Sequence, residues 1–247
     1  MPLIVLKGIR GGVGTTSTTI ALARQFHQQH KEVLIVDNCI DNLLNFYFPS
    51  IKQQQKITLH QALLARTPIT EAVYQYQSGY HLLPFGLANT KDDLLLQLSF
   101  SAKNQFKNFI TAFSKIHPQA VILMDLQNRP DTLFSPWVEK ANICLTTAMA
   151  ESNCHIRLSQ HIFADNEYVL INQFRSTSQI HQDFYQFWQT THFPLCPIKL
   201  HQDEAALEAS ASRLPLQDYR ANCMLAQEIA QLTDWCSSLF VREEGQP

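Results

Sequence analysis

Near its start this chain reads L-I-V-L-K-G-I-R-G-G-V-G-T-T-S-T: an apolar run, a turn with glycines at 11, 12 and 14, and a hydroxyl-rich stretch. No other segment restricts the fold as much. Leu3–Lys7 has the length and composition of a buried strand, and Thr16–Gln29 carries Ile20, Leu22, Ala23 and Phe26 on one helical face. A second apolar run, Glu32–Asp37, follows directly. Strand, helix and strand at this spacing form a βαβ unit, whose two strands run parallel with a right-handed crossover. A glycine-rich turn between the first strand and its helix directs backbone N–H groups at a ligand, and the helix dipole favours an anion there. Gly11, Gly12 and Gly14 supply the backbone freedom. The same glycines would also serve a tight turn used for packing alone.

The alternation continues down the chain. Helices are expected at Thr58–Arg66, Gln105–Ile116, within His155–Ile162, at Ile180–Thr190 and at Ala221–Leu239. Strands are expected at His81–Pro84, Ala120–Asp125, Ile143–Thr147, Tyr168–Asn172 and Cys196–Leu200. Ile51–Gln55 and Gly86–Lys91 read as loops. Seven or so short apolar strands interleaved with helices predict an α/β fold with a doubly wound, mostly parallel sheet. No linker divides it, so residues 1–240 are expected to form one nucleotide-binding domain, with 241–247 a short tail. The aromatic run F-Y-Q-F-W at 184–188 fits either a contact patch or the core face of its helix.

Composition narrows the function. With 247 residues and a net charge of −2, the chain lacks the basic excess of a protein that coats nucleic acid by charge. No run approaches a membrane span, and the N-terminal apolar run is too short for a secretory leader. The six cysteines are scattered without a C-x-x-C pair, as expected of reduced thiols in the cytoplasm. Cys154, His155 and His161 fit no common zinc spacing.

The chemistry concentrates at three strand ends. Thr16 stands where a hydroxyl would coordinate Mg²⁺, and Asp37 and Asp125 each end a buried strand. Ligands of open parallel sheets bind at the carboxyl ends of the strands. Asp125 is therefore placed to hold Mg²⁺ through water, and Asp37 to open a switch-like loop. Either acid alone would pass as a polar strand terminus; both beside the glycine loop point to a nucleotide. Thr15, however, occupies the place of the lysine expected before Thr16. Its hydroxyl donates one hydrogen bond but carries no charge.

R-G-G-V-G-T-T-S-T resembles the deviant phosphate-binding loop of the MinD/ParA (SIMIBI) ATPases. Together with V-D-x-C-x-D-N-L-L, N-C-H-I-R-L and D-E-A it is similar to one branch of that class, the BcsQ accessory proteins of bacterial cellulose secretion. The likeness runs from Val5 to about Trp235. It implies a P-loop fold binding ATP and Mg²⁺, with the nucleotide against Arg10, Gly11, Gly12, Val13, Gly14, Thr15, Thr16 and Ser17. It implies a metal shell of Thr16, Asp37 and Asp125, and base contacts from Asn172 and from the Leu200–Ala205 loop, with Asp203 as the candidate there. Asn172 would equally serve as a plain strand-end residue. The class has a signature lysine where Arg10 stands, reaching across a dimer into the partner's nucleotide, and a water-positioning acid where Cys39 stands. Arg10 keeps the charge as a clamp or an arginine finger, or is a surface arginine near the loop.

Two catalytic contributions are thus missing, and no residue is assigned a catalytic role. The expected protein is a degenerate ATPase: an ATP-binding homodimer supporting the assembly or regulation of a cellulose synthase secretion complex, with little or no hydrolysis. Its partners would be other secretion components, with or without a short companion protein. The acidic tail S-S-L-F-V-R-E-E-G-Q-P lacks the basic amphipathic character of a membrane anchor, so partners would recruit it to the inner membrane. The alternatives are an active MinD/ParA-like ATPase that positions a complex in the cell, and a nucleotide-free scaffold.

Overall fold

Strand β1 (Leu3–Gly8) is an interior strand of a seven-stranded sheet, next to its central strand and buried along almost its whole length. A computed structural model describes residues 1–48, 57–126 and 132–244, with side chains as far as 240; the loop expected at Ile51–Gln55 lies outside the described residues. The other strands are β2 (Val33–Asp37), β3 (Tyr74–Gln77), β4 (Tyr80–Leu83), β5 (Val121–Leu126), β6 (Ile143–Ala148) and β7 (Glu167–Ile171), in the order β3-β4-β2-β5-β1-β6-β7. All neighbours pair in parallel except β3 and β4. The doubly wound, mostly parallel sheet expected from the alternation is therefore the fold.

The period-two alternation of side chains sorts the core onto two faces. Ile4 and Leu6 of β1, with Leu123 of β5, pack under helices α1 (Thr15–Gln28) and α11 (Met224–Glu244) and the short α9 (Glu204–Ala211) and α10 (Leu216–Tyr219). Leu3, Val5, Ile122 and Met124 face the opposite layer, which includes α3 (Leu59–Ala65), α4 (Thr90–Leu98), α5 (Phe100–Ile116) and α6 (Pro136–Lys140). A third cluster at the β7 end gathers Val13 and Trp188 with α7 (Ser152–Ser159) and α8 (Gln179–Thr190). Of the aromatic run on α8, Trp188 is fully buried while Phe187 faces outward, so the run is largely core. Local caps set several boundaries: Thr58 and Gln61 form a capping box for α3, Asn89 caps α4 and Ser99 caps α5.

Four features depart from the sequence reading. Cys196–Leu200 is not a strand: it is flanked by isolated bridges, Leu195 with Val169 of β7 and His201 with Phe174 beyond β7, with Cys196 N–H donating to Val169 O and Leu200 N–H to Ile171 O. Pro194 and Pro197 lack the N–H groups that a continuous ladder needs. The Y-Q-Y-Q-S-G-Y run forms an antiparallel hairpin at the sheet edge, turning at Gly79 with φ +73°. The segment expected as a loop at Gly86–Lys91 gives way to α4 at Thr90, and a one-turn helix α2 (Leu44–Tyr47) follows β2. Among the described residues, no helix is long and apolar enough to cross a membrane.

Leu123 sits at the centre of the sheet with no exposure, whereas Leu98 of α4 is 81% exposed. Leu123→Ala is expected to cost about 2–5 kcal/mol by urea unfolding, and Leu98→Ala no more than about 0.5 kcal/mol.

Candidate functional site

Three strand ends meet at the carboxyl edge of the sheet. Because β5 lies between β1 and β2, Asp37 and Asp125 are direct register partners on neighbouring strands. The loop after β1 closes over this edge and feeds α1. Gly12 and Gly14 adopt left-handed φ values of +78° and +87°, and Gly14 is the helix N-cap. The first turn of α1 holds no acidic residue and Gly14 offers no side-chain cap, so its N–H groups remain available to a ligand.

The loop is shaped from a distance. Val13 is buried in the β7-side cluster, and Asn172, just past β7, donates from Nδ2 to Val13 O at 2.8 Å while its Oδ1 accepts from Gln173 N–H at 2.9 Å. A β-carbon on Gly14 would fall 2.5 Å from Asn172 Nδ2, so only glycine fits there. Asn172 thus clamps the phosphate loop as well as lining the neighbouring cavity. Thr15 lines the larger cavity, and a β-carbon on Gly8 would lie 2.9 Å from its hydroxyl and 2.6 Å from Arg10 O. The hydroxyl sits against the strand end, where no cationic side chain replaces the expected lysine.

Two cavities open along this edge. One of about 600 Å³ is lined by Gly8, Arg10–Gly12, Gly14–Ser17, Cys39, Asp41, Asp125 and the α2 region. The other, about 190 Å³, is bordered by Asn172, Gln202, Asp203 and by aliphatic residues of α1, α9 and α11.

Both carboxylates are buried, Asp37 completely and Asp125 to within 5% of its surface. Burial pushes both above the usual carboxylate range, and for Asp37 the neighbouring Asp125 adds to it. The amides of Cys39 and Leu44 oppose the shift at Asp37, and the Thr16 hydroxyl opposes it at Asp125. Cys39 N–H donates to Asp37 Oδ1 at 2.7 Å, but Asp37 Oδ2 is buried without a hydrogen-bond partner. Two hard carboxylates, one with an orphaned oxygen, and an adjacent hydroxyl suit Mg²⁺. Burial also lifts the Cys39 thiol to about 11, helped by Asp37, so it stays neutral.

Other expected residues lie at the rim. Arg10 turns back on its own chain: its guanidinium donates to Glu151 Oε1 at 2.9 and 2.6 Å and to Gly11 O at 2.6 Å. The Glu151 hydrogen bond raises its already high pKa. Asp203 caps α9, accepting from Ala205 N–H at 2.9 Å and from Leu225 N–H at 3.2 Å. Burial pushes its carboxyl up, but these amides outweigh it and hold it below the usual value. Cys154, His155 and His161 are not brought together; their partners are Glu151, Trp188 and Glu167. All six cysteines are free thiols. Sequence reading missed Glu151, Tyr47 and Ser210, the last two lining both cavities.

If the acid pair exists to hold a cation, neutralising it should stabilise the free protein. Asp37→Asn keeps the acceptor for Cys39 N–H but removes a buried charge beside Asp125. Its metal-free melting temperature is expected to rise by about 2–4 °C, roughly 1 kcal/mol for a chain of this size. The further rise that wild type shows with Mg²⁺ and ATP should vanish. A melting temperature below wild type, with the Mg²⁺ response intact, would remove the acid pair from the site.

The family model described as Cellulose biosynthesis protein BcsQ matches residues 1–237. The Escherichia coli K12 protein of that name is 33% identical over 246 residues, covering 96% of this chain and 94% of that one. The Salmonella typhimurium protein is 34% identical over 236 residues, with the same shares covered. Among solved structures, the septum site-determining protein MinD of Pyrococcus horikoshii complexed with Mg-ADP aligns with TM-score 0.73 at 18% identity, covering 97% of both chains. A putative plasmid partition protein of Borrelia burgdorferi bound to AMPPNP aligns with TM-score 0.71 at 14% identity, covering 98% and 99%. At such identity these structures speak for the fold alone, the P-loop ATPase fold of the MinD/ParA class. With the phosphate-loop geometry, the strand order and a family match along nearly its whole length, the chain belongs to the BcsQ cellulose biosynthesis protein family.

Proposed function

We propose that the protein binds Mg-ATP as a structural ligand that joins two copies, and that the dimer supports assembly or regulation of a cellulose synthase secretion complex with little or no hydrolysis. One observation carries the reading: the parts that hold phosphate and metal are kept, while the two positions expected to drive hydrolysis hold Thr15 and a neutral thiol, Cys39. In this reading the Gly11–Ser17 backbone and the first turn of α1 hold the phosphates, and Thr16, Asp37 and Asp125 hold Mg²⁺. The metal neutralises charge on the phosphate oxygens. Asn172 and the Asp203 segment border the base, with Asp203 contributing through the loop it caps. The cellulose role comes from the relatives that carry that name. The working site is cytoplasmic, with recruitment to the inner membrane through partner proteins.

Phosphoryl transfer rests on positioning and charge stabilisation. A threonine in the lysine position removes a full positive charge, and a thiol is a weak hydrogen-bonding group for orienting water. Turnover by the pure protein is expected at about 10⁻⁴ s⁻¹ or slower, the range of an unassisted small GTPase, and heat should release intact ATP from it. Thr15→Lys with Cys39→Asp should raise the rate. Phosphate release on the order of one per second, lost in Asp125→Ala, would favour a cycling ATPase instead.

Arg10 keeps a charge at the mouth of the loop, its side chain 26% exposed. In the proposed dimer its guanidinium exchanges Glu151 for the partner's phosphates, which its planar fork suits. Light scattering should detect an ATP-dependent dimer in wild type and a monomer in Arg10→Ala. Equal dimerisation of both would take Arg10 out of the interface.

A further inference from the structure

The two cavities adjoin, and the residues they share form a neck between them, part of which the phosphate-loop reading does not account for. Gly14, Ser17, Tyr47 and Ser210 border both of them. Across the neck, Ser17 Oγ lies 2.8 Å from Tyr47 Oη, and Tyr47 Oη donates to Ser210 Oγ at 3.3 Å. A phenol has one proton. With that proton on Ser210, Ser17 donates to Tyr47, and a hydrogen-bonded chain runs from the first turn of α1 through α2 to α9.

The segment carrying Tyr47 is anchored on both sides of it. Phe48 is fully buried, edge-on to Tyr76 and Tyr80 at 4.8 and 5.9 Å. The Arg213 guanidinium lies over the Phe46 ring at 5.0 Å. Tyr47 stands between these anchors, half-buried, and reaches Ser17 and Ser210 through its hydroxyl. Its segment continues from Asp37 and Cys39 at the end of β2.

A nucleoside triphosphate needs backbone and hydroxyl donors for its charged end and aliphatic side chains for its base. The larger cavity supplies the glycine loop and Asp125, and the smaller is lined by Ile20, Ala206, Leu207, Leu214 and Ile229 beside Asn172 and Gln202. A ligand occupying both must thread the neck with the sugar that joins its two ends. We propose that Tyr47 is the positioning residue of this neck: the Ser17–Tyr47–Ser210 chain closes it in the free protein, opens for a nucleoside triphosphate to cross, and leaves the phenol ring over the sugar. The opening moves α2, and so couples occupancy to the loop that follows Asp37. This inference rests on the nucleotide-binding reading above.

The test uses nucleotide-free full-length protein, a fluorescent ATP analogue in stopped flow, and inorganic tripolyphosphate as a competitor that fills only the larger cavity. Tyr47→Phe keeps the ring and removes both hydrogen bonds. Its association with the analogue is expected to quicken by roughly five- to thirtyfold, the change that losing one to two hydrogen bonds brings. Competition by tripolyphosphate should stay at the wild-type value. Ser210→Ala cuts the chain at its other end and should shift the association rate in the same direction, which keeps the test open if Tyr47→Phe misfolds. Equal weakening of analogue and tripolyphosphate would make Tyr47 a mere support of the loop and overturn the proposal, as would unchanged association in both variants. Wild type that binds tripolyphosphate and nucleotide alike without effect of either variant removes the gate but leaves nucleotide binding standing. Wild type that binds neither overturns the nucleotide reading and this inference with it.

Discussion

Two carboxylates held side by side in a dry sheet edge are the constraint on which this structure turns. β5 inserts between β1 and β2, and parallel register then brings Asp37 and Asp125 level with one another. Neither acid gains from being buried. Each is driven away from its ionised form, and one oxygen of Asp37 is left without a partner. Such an arrangement destabilises a fold unless a cation meets it, which makes it a mark of a binding site rather than of a packing solution. The glycine loop leaves β1 immediately beside the pair, so phosphate and metal would meet at one point.

In the proposed reading, binding and hydrolysis depend on different parts of this site. The glycine loop is built of backbone, and its shape is enforced by Asn172, which bonds Val13 O and leaves no room for a β-carbon at Gly14. Backbone donors survive almost any side-chain substitution around them. In that reading the rate-enhancing contributions are side-chain charges, absent at Thr15 and Cys39. Cys39 illustrates the loss: buried and beside Asp37, its thiol is pushed further from ionisation. Arg10 keeps its charge, but in the single chain that charge is spent on Glu151.

Much of the fold was legible because strand and helix periodicity is local. β1, α1, β2 and β5 formed within a residue or two of expectation, and the parallel sheet followed from their alternation. Misreadings came where local pattern and ladder chemistry disagree. Cys196–Leu200 looks like a strand, but Pro194 and Pro197 break its donor row, and only isolated bridges form beside it, to Val169 of β7 and to Phe174. The β3 hairpin announced itself in an alternating Y-Q-Y-Q before S-G, a pattern that a search for buried parallel strands passes over. Asp203 carried a carboxylate at a base-site loop, yet that carboxylate serves as a helix cap.

The sequence by itself determined the glycine turn between strand and helix, the two strand-end acids and Thr15 before Thr16, because each is a residue type at a fixed distance from a strand or helix end; that Cys39 stands in place of a water-orienting acid is what the family resemblance implies. Tertiary structure alone decided what those residues face. Glu151 reaches Arg10 across 141 residues, Asn172 reaches Val13 across 159, and Ser210 reaches Tyr47 across 163. No periodicity encodes such pairs. They exist because a parallel sheet returns every strand to the same edge, and because that edge collects the loops of distant segments around one cleft.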